Sequence, residues 1–140
     1  MSVGQIRIGP LNRTAQRALA GWLADAQNAG IDVDDATSIE QAYEEYFVSV
    51  QDTPALERAD PTQVLTMIGI AMGEHVQRQT GVSWRVASDD EGPDLALVAS
   101  DDAGVFFPVD PVADNWNAGQ RGWLAIFIAD LVLQLGPQST

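Results

Sequence analysis

The chain has 140 residues, 46% of them hydrophobic, no cysteine, and a formal net charge of −13 with arginine as its only strongly basic residue. At this length one domain with its own core is expected, and the missing cysteines exclude disulfides, thiolate chemistry and cysteine-held metal together. So acidic a surface repels phosphate backbones and anionic lipid, which argues against nucleic-acid and membrane binding; a basic protein partner, or mimicry of a nucleic acid, fits the sign. The most apolar stretch, Trp123 to Leu135, is too short for a bilayer and carries Asp130, and no charged and apolar leader opens the chain. A cytoplasmic protein is expected.

Ile6 and Ile8 flank Arg7 within Met1 to Pro10, a pattern for a short edge strand or an arm laid on the body. Asn12 or Thr14 then caps a first helix to about Ala29. Its apolar stripe is Ala15, Ala18, Leu19, Trp22, Leu23 and Ala26, and Gly30 ends it. Asp32-Val33-Asp34-Asp35 invites comparison with a calcium loop. Counting from Asp32, however, the sixth position is Thr37 instead of Gly and the twelfth is Tyr43 instead of Glu. The segment reads as a solvated turn before a second helix, opened by a capping box of Thr37 with Glu40 or Ser38 with Gln41. That helix runs to about Gln51, with Ile39, Ala42, Tyr43, Tyr46, Phe47 and Val50 on its apolar face. Aromatics at helical spacing are core before they are a pocket.

Asp60 to Gly81 forms the central helix, with both ends marked. Asp60 caps it, Pro61 falls where no N–H is needed, Gln63 completes a capping box, and Gly81 closes it in the left-handed conformation. Val64, Leu65, Ile68, Met72 and Val76 make an apolar face. Gly69 and Gly73 each cost roughly 1 kcal/mol against Ala in a helix interior, so another element is expected to pack closely on that bare strip.

The period then changes from helical to alternating. Val82 to Ser88 puts Val82, Trp84 and Val86 on one face; Leu95 to Ser100 is an apolar central strand; Val105 to Val109 is a third strand. Asp89 to Pro93 and Asp101 to Gly104 are the turns between them, solvated tips at opposite ends of a meander and therefore unable to share a metal. Asp110-Pro111 repeats the earlier cap signature and opens a short helix to about Asn117. A last helix covers about Gly122 to Leu135, apolar on most of its circumference and so expected to be buried or in a dimer interface. The expected fold is α+β: three N-terminal helices, a three-stranded antiparallel β-meander, then a short helix and a C-terminal helix, with helices on one face of the sheet. Residues 1–136 form the one domain and 137–140 a loose tail.

The run from Gly69 to Gly81, with Gly73-Glu74, leads into Trp84-Arg85-Val86, and then come Phe106-Phe107-Pro108 and a short helix holding Trp116. This order resembles a bacterial family, found in actinobacteria among others, that is known only as a domain of unknown function. The resemblance covers roughly residues 60–135. It implies a fold and brings no activity, cofactor or catalytic residue.

Reactive groups are few. His75 is the only histidine, so a two-histidine zinc helix has no second ligand. Ser83, Ser88 and Ser100 lack elbow glycines, and no glycine-rich phosphate loop follows a strand. Neither a metal nor a cofactor is expected. The join between the central helix and the sheet is the place to look for binding, because Glu74, His75, Arg78, Trp84, Arg85 and Trp116 gather there in the expected fold. Three functions compete. The first is a non-enzymatic module that binds a basic protein or a second copy of itself. The second is a small-molecule-binding domain using the aromatic and arginine seam around His75 and Trp84. An enzyme with carboxylate chemistry comes last.

Overall fold

The computed structural model describes residues 6–90, 92–99 and 104–136. In chain order the elements are β1 (Arg7–Gly9), α1 (Arg13–Asn28), α2 (Ala36–Gln51), α3 (Thr62–Thr80), β2 (Ser83–Asp89), β3 (Gly92–Val98), β4 (Val105–Phe106), α4 (Val109–Asn117) and α5 (Leu124–Leu135). A one-turn 3₁₀ segment, Ala55–Glu57, sits in the loop before α3. The fold is α+β. Its antiparallel sheet runs β1-β2-β3-β4 among the described residues, so the N-terminal Arg7–Gly9 segment is a fourth strand added to the expected three. Ile8 lies opposite Ala87 and Gly9 opposite Val86. The alternating Ile6-Arg7-Ile8 therefore pairs on the sheet edge and does not form a free arm.

The last strand is shorter than the alternation suggested. β4 stops at Phe106 because Pro108 already stands at the N-cap of α4. Asp110-Pro111 lies inside the first turn of that helix instead of capping it, as a proline there gives up only an N–H that has no helical partner. The β2–β3 hairpin closes more tightly than expected, with Asp89 opposite Gly92. Pro93 consequently falls within β3, at its end farthest from the β4 pairs Leu97–Phe106 and Val98–Val105. Glu91 of that turn, 101–103 of the next one, and the tail 137–140 lie outside the described residues.

α3 is the axis of the molecule. Residues 68–76 are buried without interruption, because two apolar clusters meet on this helix. On one side Leu65, Ile68 and Met72 pack with Ile39 and Tyr43 of α2, Val112 of α4, and Leu124 and Ile128 of α5. On the other, Ile70 and Val76 pack with Val82, with Trp84 and Leu97 of the sheet, and with Leu19, Trp22 and Leu23 of α1. The glycine strip is covered as its spacing predicts. A Cβ on Gly69 would stand 2.7 Å from Val109 Cα, and one on Gly73 would stand 2.6 Å from the Trp84 ring and 3.0 Å from Pro108. The helix gives up side chains at two positions so that α4 and the tryptophan can reach its backbone.

The caps follow the same logic with local changes. Asn12 Oδ1 accepts from Ala15 N at 2.8 Å, as expected. α2 is capped by Asp35, whose carboxylate accepts from Thr37 N at 3.0 Å, in place of either predicted box. Asp60 bonds both the amide and the hydroxyl of Thr62, and Gly81 closes α3 at φ 79°. α5 has no capping side chain of its own. Two carboxylates of α2 serve it instead: Glu44 Oε2 accepts from Gly122 N at 2.8 Å, and Glu40 Oε2 from Ala125 N at 3.0 Å.

Candidate functional site

Gly81 reverses the chain so that β2 runs back along the end of α3, which brings Trp84 against the turn of helix holding Glu74 and Arg78. The Trp84 indole Nε1 donates to Glu74 Oε1 at 2.9 Å. Arg78, one turn on, donates through Nε to Glu74 Oε2 at 2.8 Å and through an NH group to Asp34 at 3.0 Å. The result is a continuous line from sheet to helix to the loop before α2. His75 sits beside it and donates from Nδ1 to the Val33 carbonyl at 2.8 Å, a direction fixed because a carbonyl can only accept.

Burial grades along this line. Glu74 and His75 are 9% and 8% exposed, whereas the Arg78 and Asp34 side chains are 43% and 63% exposed. The inner part is a desolvated carboxylate with both oxygens engaged, an arrangement that holds the helix, strand and loop in register. The outer ion pair lies in water and contributes about 0–1 kcal/mol. Asp34 first, then Glu74, raises the already high proton affinity of the Arg78 guanidinium, so it stays charged.

Of the six residues singled out from the sequence, the structure brings four together: Glu74, His75, Arg78 and Trp84. Arg85 points from the other side of β2, exposed, and donates to the Trp84 carbonyl at 3.2 Å. Trp116 belongs to a separate aromatic cluster, stacked on Tyr46 at 5.1 Å and edge-on to Tyr43 and Phe47. Helix α4 turns it toward α2 because its core face is fixed by Val112. Among the described residues an arginine–aromatic contact occurs at Arg121, whose guanidinium lies over the Phe47 ring at 5.3 Å. Asp34 and the Val33 carbonyl, which complete the seam, lie more than forty positions away in the chain, and nothing in their local spacing marked them.

Among the open surfaces of the described residues, two stand out. A groove of about 660 Å³ runs between α1 and residues 31–34 with Arg78 among its lining groups. Elsewhere, α5 buries Leu124 and Ile128 but leaves Ile126 and Leu133 73% and 79% exposed. The helix expected to be covered on most of its circumference is therefore bare on one side. Among the described residues no three His, Cys, Asp or Glu side chains gather closely enough to hold a metal ion, and no helix is long and apolar enough to cross a membrane.

An antiparallel sheet whose Trp84–Leu97 face packs against α1, α3 and α5, with the glycine-notched α3 at the centre, defines a small α+β domain class. The family model described as "Domain of unknown function (DUF3806)" matches residues 36–127, well over half of the chain, and the protein belongs to that family. The match begins earlier than the resemblance read from the sequence, taking in all of α2, and it ends within α5. No curated protein and no solved structure matches the chain.

Proposed function

We propose that this domain is a protein-interaction module without catalytic activity, docking through the open side of α5 onto a partner whose apolar centre is bordered by basic side chains. The observation that carries this reading is the pair Ile126 and Leu133, both large, both exposed, and seven residues apart on one side of the helix. Leaving two such side chains in water forgoes roughly 1.5–3 kcal/mol each relative to burial. With a net charge of −13 on the chain, a basic rim on the partner supplies orientation and association rate. A second copy of the chain is the weaker candidate, since like charges oppose it.

The test is affinity capture at low and moderate salt, with the native chain and an Ile126→Glu/Leu133→Glu double variant compared side by side. Both positions face solvent, so the variant folds, which circular dichroism checks. A partner held by the native chain, released by salt and lost by the variant supports the reading; identical recovery by both proteins overturns it. A small-molecule role at the Arg78 end of the seam is the second reading, favoured by the groove there, and it predicts a ligand that raises the melting temperature by several degrees.

A further inference from the structure

Helix α1 presents two stripes. Leu19, Trp22 and Leu23 pack onto the sheet-side cluster, while Ala20, Leu23, Ala24 and Gln27 form one wall of the groove of about 660 Å³. The second set has i, i+3, i+4, i+7 spacing and, at 1.5 Å per residue, is about 10 Å long. Ile31 and Val33 supply apolar surface on the opposite wall, with Asp32 and Asp34 between and after them. Ala20 and Ala24 are exposed, and their small side chains keep the groove open. A straight wall of helical periodicity lined by alanine suits a second helix laid alongside, because small residues let two helix backbones approach.

Charge selects which helix. Asp32 and Asp34 line the groove with Arg78 as its one cation, and Arg78 is already shared between Asp34 and the buried Glu74, so the groove is net negative. An acidic segment is repelled there and a basic one is drawn in. We propose that this groove receives an amphipathic helical segment of a partner protein, with small apolar residues on Ala20, Leu23 and Ala24 and a basic side chain at the Asp32–Asp34 end. The surface is separate from α5, so the two proposals can fail independently.

The experiment uses the full chain, labelled for amide NMR, and two synthetic helical peptides sharing one Ala/Leu stripe, with Lys in one where the other has Glu. Only the Lys peptide is expected to shift the amides of Ala20–Gln27 and Ile31–Asp34, with affinity falling as salt rises. Ala24→Arg fills the groove and offsets its negative charge from an exposed helical position, and is expected to weaken binding about ten-fold or more. Asp32→Asn keeps the acceptor that holds Asp34 N and removes the charge, so it should lower affinity without disturbing the fold. Equal binding of both peptides, no binding by either, shifts centred on Ile126 and Leu133, or insensitivity to both variants each overturns the proposal. So does saturation of the groove by n-butylammonium alone, which would make the occupant a free cation.

Discussion

Three glycines on two helices separate what a backbone needs from what a helix prefers. Gly21 of α1 has nothing within 4 Å of the place a Cβ would occupy, whereas Gly69 and Gly73 of α3 have heavy atoms at 2.7 and 2.6 Å. Gly21→Ala should therefore stabilise the protein by up to about 1 kcal/mol, the ordinary helix-propensity gain. Gly73→Ala should destabilise it by about 1–3 kcal/mol, because Trp84 and Pro108 must shift and the overpacking outweighs that gain. Urea midpoints moving in opposite directions would confirm the contrast; a stabilised Gly73→Ala would show that the strip is not in contact. Glu74 is the other residue to perturb. Glu74→Ala leaves the Trp84 indole N–H and the Arg78 Nε–H without their acceptor, at a cost of about 3 kcal/mol, while Glu74→Gln, which keeps one acceptor, should cost less. The glycine notch could be read directly from spacing, since two costly residues four apart need a reason. Which groups filled it could not be read, because Val109 and Trp84 approach from elements whose placement depends on the whole fold.

Among the elements, α5 depends on another helix for its start. Glu40→Ala with Glu44→Ala removes the acceptors for Ala125 N and Gly122 N and should cost about 1 kcal/mol for each. Hydrogen exchange at those two amides should rise ahead of the rest of α5; uniform exchange would mean that the caps are incidental. Glu40, read from sequence as the capping-box partner of Thr37, stands with Glu44 beside the apolar face of α2, and their role as caps needed the partner helix. Acid titration distinguishes two other helix starts. Hydrogen bonds from Thr62 hold the Asp60 carboxyl below the usual range, so its contribution is present above the ordinary aspartate value and fades as pH falls through the folded one. Burial, then Asp114, pushes Asp110 up. Its folded form holds a proton longer than the unfolded chain does, so its ionisation opposes folding as pH rises. Asp110→Asn should raise the unfolding midpoint at neutral pH and lose that gain in acid; an unchanged midpoint would sink the assignment.

At the scale of the molecule, the excess of acids predicts that stability rises with salt. Moving from about 0.01 M to about 0.15 M ionic strength shortens the screening length from about 30 to about 8 Å, and the melting temperature should increase accordingly. A fall would point to surface ion pairs outweighing the net repulsion. The α+β class, the order of elements and the antiparallel sheet were legible because hydrophobic period changes from helical to alternating after Gly81 and back again near Pro108. The fourth strand was only half legible, as three residues of alternation cannot specify a partner. Trp116 was misplaced because a short helix has too few apolar residues to fix its rotation from sequence.

The hydrogen bond from Ala125 to Glu40 has a topological consequence. It joins the opening turns of the family-matched stretch to its final ones, so entry and exit of that stretch emerge side by side. Neighbouring ends let the stretch hang from whatever precedes and follows it on short tethers, while α1 closes its core from outside the matched residues.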